Sequence, residues 1–239
     1  YVGAGVGASA VGLDKAFMKG LLRASGLPVV DHVVVTETRW EREPTAVAAE
    51  VESLLSYPVF VKPCNGGSSV GISKVRSRED LADSMLEALR YDRKVIIEQG
   101  VDCREIECAV LGNDEPEASP LGELRYQREF YDYEAKYLDG STELIAPAQL
   151  SPDLTARVQE TALAAYRAID CSGMARVDCF LTPAGELFID ELNTVPGFTP
   201  GSMYPRLWQE AGLSYSGLIT RLVELGMERF RQRRELASL

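Results

Sequence analysis

A predicted β-hairpin between residues 175 and 192 carries polar side chains that could bind a hard metal ion. Arg176 and Asp178 share one face of its first strand, because strand side chains alternate between two faces. Glu191 and Asn193 share a face of the second strand, so two carboxylates and an amide oxygen converge if the faces match. Such oxygen ligands suit Mg²⁺, which also accepts water and phosphate oxygens. A solvated polar face on an edge hairpin is the alternative.

A glycine-rich turn follows a short apolar strand that ends at Lys62. The turn contains Gly66, Gly67, Ser68 and Ser69, and its backbone N–H groups could approach phosphate oxygens closely. Glycine tolerates the positive φ angles that such an arrangement needs. The ammonium of Lys62 could reach a phosphate as a point charge. The turn lacks the Walker A pattern, and a flexible Gly-Ser hairpin is the alternative.

A second strand end could bind the base and sugar of a nucleotide. Glu98, Gln99 and Val101 end a predicted strand, and Glu105 follows shortly after them. The exposed backbone here could hydrogen bond an adenine edge, and a glutamate could hold ribose hydroxyls. Taken alone this signal is weak, and an ordinary surface loop is the alternative.

Two loops could complete such a site. The segment 125–143 has no clear periodicity but is rich in aromatic residues and includes Lys136 and Tyr137. A cation in this loop could close over phosphates and exclude water, although a loop packed by its own rings is the alternative. The turn 193–203 contains two prolines and two glycines, and its N–H groups could stabilise an oxyanion. A simple connecting loop is the alternative there.

The elements that must position these groups mix strands and helices in an α+β arrangement. Asp14 is a predicted helix N-cap, and its helix continues to about residue 25 with Phe17, Met18, Leu21 and Leu22 on one face. Residues 1–7 are predicted to be loop. Further predicted elements are strands at 32–35, 59–62, 70–75, 95–98 and 106–111, and helices at 44–55, 77–89, 152–169 and 215–236.

The totals of the sequence exclude several classes of protein. The 239 residues carry a formal net charge of −11, which argues against general nucleic-acid binding. The five cysteines form no CxxC pair and only one histidine is present, which argues against zinc. Unpaired thiols are typical of a reducing cytosol. No apolar run reaches the ~18 residues of a transmembrane helix, so none is predicted.

Taken together, the motifs resemble the D-alanine–D-alanine ligase family. The matching stretches are Val11-Gly12-Leu13-Asp14-Lys15, Val61-Lys62-Pro63, Gly67-Ser68-Ser69-Val70-Gly71, Phe130-Tyr131-Asp132-Tyr133-Glu134-Ala135-Lys136-Tyr137, Arg176-Val177-Asp178 and Glu191-Leu192-Asn193-Thr194-Val195-Pro196-Gly197. The resemblance implies an ATP-grasp fold, in which two α+β subdomains clasp ATP. It implies a linker at 1–13, a central subdomain at 14–102 and a C-terminal catalytic subdomain at 103–239.

The resemblance also implies roles for individual residues. It implies that ATP is bound by Lys15, Lys62, Gly66, Gly67, Ser68, Ser69, Glu98, Gln99, Val101, Glu105 and Lys136. It implies that catalytic contacts come from Arg176, Ser68, Tyr137 and Gly197. It implies that Ser202 and Met203 face the second D-alanine. It implies that two Mg²⁺ ions, with Mn²⁺ as a substitute, are bound by Asp178, Glu191 and Asn193.

The activity implied by the resemblance is ATP-dependent joining of two D-alanines through an acyl phosphate, for peptidoglycan synthesis in the bacterial cytoplasm. The implied partners are D-alanine and ATP, in a homodimer, without nucleic acid or membrane. The first residue is Tyr1, so we expect that an N-terminal substrate domain is missing and that this chain alone ligates poorly. The alternatives are another ATP-grasp carboxylate–amine ligase, such as one for D-alanine and D-serine, and a non-catalytic nucleotide-binding module.

Overall fold

Two antiparallel sheets with helices packed on them form the part of the chain that the computed structural model describes, residues 1–126 and 142–236. The first sheet has the order β1-β4-β2-β3, with β1 (His32–Thr36), β2 (Val59–Pro63), β3 (Ser73–Val75) and β4 (Lys94–Gln99). The second sheet has the order β7-β6-β5-β8-β9, with β5 (Arg104–Gly112), β6 (Glu117–Tyr126), β7 (Thr142–Ile145), β8 (Gly173–Leu181) and β9 (Leu187–Asn193). The helices are α1 (Val6–Leu13), α2 (Lys15–Ala24), α3 (Glu37–Arg42), α4 (Pro44–Leu54), α5 (Leu81–Leu89), α6 (Pro152–Ala168), α7 (Met203–Glu210) and α8 (Tyr215–Leu236).

The four-stranded sheet buries one face under α3, α4 and α5. Val59 and Val61 of β2 point into that core, because alternate residues of a strand share a face. Their neighbours Phe60 and Lys62 therefore point to the opposite face, which lines a large cleft. The alternation along β2 thus separates a hydrophobic core from a chemically active surface.

Helices pack on both faces of the five-stranded sheet, but α7 and α8 leave part of one face open to the cleft. One face packs against α1, α2 and α6, and the other packs against α7 and α8. In β8 the buried side chains of Val177 and Cys179 join the first of these cores. Asp178 lies between these two residues and Arg176 precedes them. Both side chains line the cleft. The second sheet therefore presents polar side chains on one face of an inner strand to the same cleft as the first sheet.

The first thirty residues pack with the second sheet. Ala8 of α1 and Met18 and Leu22 of α2 belong to the core beneath β5, β8 and β9. The proposed boundaries at residues 13 and 102 stay a prediction. This packing supports an allocation in which α1 and α2 belong to the catalytic unit.

Asp14 caps α2 as predicted, since its carboxylate accepts hydrogen bonds from the backbone N–H groups of Ala16 and Phe17 at 3.1 Å each. The four apolar residues predicted to share one face of this helix are not all buried. Met18 is buried, but Phe17 is 66% exposed and Leu21 is 37% exposed. Lys15 and Lys19 of the same helix are buried, because their ammonium groups pair with carboxylates that line the cleft.

Three predicted element boundaries were also wrong. A helix starts at Val6, where loop was predicted for residues 1–7. The strand predicted at 70–75 begins only at Ser73, because Ser68, Ser69 and Gly71 have φ angles of +57°, +58° and +71° that turn the chain. The predicted helix at 77–89 divides into a short 3₁₀ turn and α5. The strand β6 and the helix α7 were not predicted.

We expect Gly100→Ala to lower the free energy of unfolding by about 1–3 kcal/mol, as overpacking against rigid groups does. A Cβ at Gly100 would lie 2.4 Å from the carbonyl oxygen of Pro58, which also accepts the Gly100 N–H at 3.0 Å. Urea denaturation would measure the change. Gly20→Ala is the matched control, because an added Cβ there meets nothing within 4 Å, and an alanine inside a helix should stabilise by about 0.5–1 kcal/mol. Equal effects of the two changes would contradict the predicted clash.

Candidate active site

A cavity of about 840 Å³ lies between the cleft-facing sides of the two sheets. Of the residues singled out from the sequence, the following line it: Lys15, Lys62, Gly66, Gly67, Ser68, Ser69, Glu98, Gln99, Val101, Glu105, Arg176, Asp178 and Glu191. Residues separated by more than 170 positions are thus brought to one site. Lys136 and Tyr137 lie outside the described residues.

The hairpin brings its four polar side chains together, and the predicted match of faces is confirmed. Arg176 lies opposite Asn193, and Asp178 lies opposite Glu191. The guanidinium of Arg176 donates two hydrogen bonds of 2.7 Å to Asp178. The amide nitrogen of Asn193 donates at 2.9 Å to each of the two carboxylates, which it holds together. Arg176 also lies 3.2 Å from a carboxylate oxygen of Glu107.

The two hairpin carboxylates differ in their electrostatic surroundings. Burial raises the pKa of Asp178, although the guanidinium of Arg176 opposes the shift. Burial also acts to raise the pKa of Glu191, but Lys15, the hydrogen bond from Asn193 and the charge of Arg176 together outweigh it, so the pKa is lowered. The ammonium of Lys15 lies 3.6 Å from Glu191. A divalent cation beside Asp178 would relieve the unfavourable burial of its charge.

The residues present fit Mg²⁺ as oxygen donors. Asp178 and Glu191 supply carboxylates, and Asn193 supplies an amide oxygen when its amide is turned from the orientation that bridges the two acids. Within the described residues no group of three or more His, Cys, Asp or Glu side chains forms a metal site. The candidate set therefore consists of two acids and one amide, with phosphate oxygens needed to complete it.

Two lysines line the cavity close to acids of the hairpin. Lys62 lies 2.7 Å from Glu98 and 3.5 Å from Asp190. Burial lowers the pKa of Lys62, but these carboxylates outweigh it and raise the pKa above its ordinary value. Lys15 donates to the carbonyl oxygen of Gly66 at 3.1 Å. Both lysines line the cavity beside the glycine-rich turn.

The glycine-rich turn is tied to the start of α2. The N–H of Lys15 donates to the carbonyl of Cys64 at 2.9 Å, and Asp14 forms a β-bridge with Asn65. Gly66 has a φ of +128°, which favours glycine. The turn therefore keeps a fixed position beside Lys15 while its tip borders the cavity.

Glu98 and Gln99 contact protein groups with their side chains. Glu98 is 1% exposed and pairs with two lysines. Gln99 accepts from the N–H of Ser56 at 2.8 Å and donates to its carbonyl at 2.9 Å. Both residues line the cavity, and their contact with an adenosine stays a prediction. A direct contact by Glu98 or Gln99 would be made by backbone atoms, because both side chains have protein partners.

The three residues after the hairpin that were predicted to contact the substrate or the intermediate, Gly197, Ser202 and Met203, have different surroundings. Met203 is 3% exposed and packs in the core under α7 and α8. The hydroxyl of Ser202 accepts from the N–H of Thr199 at 3.1 Å. A Cβ at Gly197 would lie 3.1 Å from that hydroxyl oxygen. The turn is thus compact around Gly197 and Ser202, and substrate contact by Met203 stays a prediction.

Asp190 and Lys19 were not predicted from the sequence as residues of the site. The register of β8 and β9 shifts, so that Asp178 faces Glu191 and Cys179 faces Ile189, which leaves Asp190 as the extra residue of a bulge. The signal was the acidic pair at 190–191 in an apolar strand. Regular alternation would place one of the two carboxylates in the hydrophobic core, which is costly. Burial acts to raise the pKa of Asp190, but Lys62, Lys19 and Lys15 lower it to about 2.

We expect thiol reagents to modify the folded protein slowly and at Cys103 first. Cys103 is half-buried and lines the cavity, whereas the other four cysteines are buried. Burial raises the pKa of Cys103 to about 12, so its thiol stays protonated at pH 8 and reacts slowly. Iodoacetamide labelling followed by mass spectrometry would locate the modified residue. Rapid labelling of Cys64 at pH 8 would contradict this, since burial raises its pKa to about 12 as well.

A cleft between two α+β units, lined by lysines, acids and an arginine, is the arrangement expected of the ATP-grasp class of proteins. The solved structures that the chain resembles have this fold. The chain belongs to the family described as D-ala D-ala ligase C-terminus, whose profile matches residues 21–224. The predicted α+β ATP-grasp fold is confirmed.

Named relatives agree with this assignment. The chain is 52% identical to the D-alanine–D-alanine ligase of Geobacillus thermodenitrificans, over 98% of this chain and 64% of that protein. It is 51% identical to that of Heliobacterium modesticaldum, over 100% of this chain and 65% of the other. The chain therefore spans somewhat less than two thirds of the length of these relatives.

Two solved structures resemble the whole fold. The D-alanine–D-alanine ligase of Coxiella burnetii has a TM-score of 0.86 and 35% identity, over 100% of this chain and 63% of that one. The VanG D-Ala:D-Ser ligase of Enterococcus faecalis has a TM-score of 0.86 and 37% identity, over 94% of this chain and 64% of that one. Both are ligases of D-amino acids by their names. Within the described part of the chain, none of the helices has the length and apolar character that crossing a bilayer requires.

Proposed function

We propose that this chain is the ATP-binding and catalytic part of an enzyme that joins two D-alanines with ATP. The observation that carries the proposal is the single cavity in which Lys15 and Lys62 face Arg176, Asp178 and Glu191. Membership of the family supports the reaction class. On a chain of net charge −11, a local cationic wall is what ATP needs.

The chemistry proceeds in two steps. The γ-phosphoryl group of ATP passes to a carboxylate oxygen of the first D-alanine, which gives an acyl phosphate and ADP. The amine of the second D-alanine attacks the acyl carbon, loses a proton, and phosphate leaves as the amide forms. The protein contributes positioning and charge neutralisation more than covalent chemistry.

Each wall of the cavity has its own task. Lys15, Lys62 and the N–H groups of the turn at residues 66–69 orient the phosphates and offset their charge. Arg176 stabilises the negative oxygen of the tetrahedral intermediate, together with the N–H of Gly197. Asp178, Glu191 and Asn193 would hold Mg²⁺, which would supply positive charge to offset that of the phosphates. We propose Ser68, Tyr137 and Lys136 as further contacts at the reacting groups.

D-serine is the second candidate for the second substrate. The favouring observation is the resemblance to the VanG D-Ala:D-Ser ligase at 37% identity. Ser202, whose hydroxyl hydrogen bonds within the turn after the hairpin, is our candidate for a contact with the second substrate. We further propose a homodimer in the bacterial cytoplasm for the complete protein, with a role in peptidoglycan synthesis.

The experiment is the release of ADP from Mg-ATP by the full natural polypeptide. We expect release that depends on D-alanine, with D-alanyl-D-alanine identified by mass spectrometry. L-alanine is the control, and a mixture of D-alanine and D-serine tests the second candidate. If ADP release does not depend on D-alanine although the protein binds ATP, the proposal is contradicted. The substrate would then be another carboxylate.

A further inference from the structure

Lys19 is a fully buried lysine that does not line the cavity. It lies on the inner face of α2 with 0% of its surface exposed. Its ammonium lies 3.0 Å from Glu98 on β4 and 3.3 Å from Asp190 on β9. Lys19 therefore links a strand of the first sheet to a strand of the second. A lysine without solvent is stable only with such partners.

The same two carboxylates also hold Lys62. Glu98 lies between the two lysines, with one oxygen 3.0 Å from Lys19 and the other 2.7 Å from Lys62. Asp190 lies 3.3 Å and 3.5 Å from the same two ammonium groups. Two cations and two anions thus balance in a four-membered cluster. Lys62 borders the cavity, and Lys19 lies behind the cluster, away from it.

We propose that Lys19 is a positioning residue of the nucleotide site: it neutralises Glu98 and Asp190 from behind, so that the ammonium of Lys62 remains available to phosphate. This inference rests on the proposed function. It adds a residue that touches neither nucleotide nor metal. The β-bulge that turns Asp190 toward the cluster is part of the same device.

The physical reason is the charge that an incoming phosphate meets. With Lys19 present, Glu98 and Asp190 are matched by two ammonium groups and the cluster is neutral. Without it, Lys62 is the remaining ammonium beside Glu98 and Asp190 in the described part of the chain, and the two carboxylates hold its N–H donors more tightly. The cluster then carries a net charge of −1, which repels phosphate in a poorly solvated site. Nucleotide affinity should fall although no direct contact is lost.

The test uses three variants of the full natural polypeptide: Lys19→Met, Asp190→Asn and the double variant. Methionine keeps the length of the lysine stem, and asparagine keeps the shape of the aspartate. The dissociation constant of ADP is measured by calorimetry in EDTA, so that the readout does not depend on a metal or on turnover. Thermal unfolding is recorded for each variant, because Lys19→Met also leaves Glu98 and Asp190 with one ammonium fewer.

The charge balance predicts the order of affinities. We expect Lys19→Met to weaken ADP binding at least about tenfold, the size that 1.4 kcal/mol of binding free energy gives. The double variant restores the balance, so its affinity should return to within about threefold of the natural protein, a difference below 1 kcal/mol. Asp190→Asn alone should bind ADP at least as well as the natural protein, because it removes a competitor for Lys62.

Two results would overturn the proposal. The first is a folded Lys19→Met protein with unchanged ADP affinity, and the second is a double variant that binds as weakly as Lys19→Met. If Lys19→Met does not fold, Asp190→Asn decides, since a tenfold loss of ADP affinity there would contradict the role of Asp190. Failure of the proposed ligation would give a different result: the natural protein would bind nucleotide but release no ADP when D-alanine is added.

Discussion

Replacing Arg176 by lysine is expected to lower the turnover of dipeptide formation by about 10²–10³, the loss typical of removing one oxyanion donor. Nucleotide affinity should change little. The planar guanidinium donates twice to Asp178 and lies against Glu107, which fixes its orientation at the cavity. A lysine keeps the positive charge between those acids but loses the forked geometry that directs further N–H groups at the substrate. The change therefore separates charge balance from geometry.

Steady-state rates at saturating D-alanine and calorimetric ADP titration would measure the two properties separately. Arg39→Lys is the matched control, because Arg39 also contacts two carboxylates, Glu43 and Glu50, but lies outside the cavity lining. It should leave turnover within about twofold, as surface ion pairs contribute little. Arg176→Lys with natural turnover would exclude Arg176 from the stabilisation of the intermediate.

Replacing Lys62 by methionine is expected to weaken nucleotide binding by about 10²-fold, close to the 2–5 kcal/mol that loss of one partner of a buried charge pair removes. Two effects act in the same direction. The phosphate loses the ammonium, and within the described residues Glu98 and Asp190 keep Lys19 as their ion-pair partner. The uncompensated negative charge then faces the cavity, where it repels ATP. The loss should exceed that of Lys19→Met, because Lys62 is also the direct contact.

ADP titration in EDTA measures this change as well. Lys94→Met is the matched control. Lys94 lies on β4, the strand beside that of Lys62, and pairs with Asp14 at 2.5 Å, but it does not line the cavity. That variant should lose stability and keep nucleotide affinity within about threefold. Equal nucleotide affinities for Lys62→Met and the natural protein would remove Lys62 from the phosphate site.

The resemblance to the family concentrates in segments whose geometry is local. Strand alternation alone put Arg176 with Asp178 and Glu191 with Asn193, and the hairpin brought the two pairs into register as expected. The cap at Asp14 and the closing helix α8 follow from short-range patterns in the same way. Neighbours in sequence decide these features, so the sequence suffices for them.

The sequence by itself determined the composition of the site: which acids, lysines and glycines are present, and in which order. Only the tertiary structure decided which of them meet. The bulge at Asp190 depends on cross-strand register, and the burial of Lys19 depends on two strands that lie far from it in sequence. A lysine on a helix face is normally solvated, so no local pattern reveals that this one is buried. Its environment is created when the two sheets close around it, because long-range packing, not helix propensity, supplies its carboxylate partners.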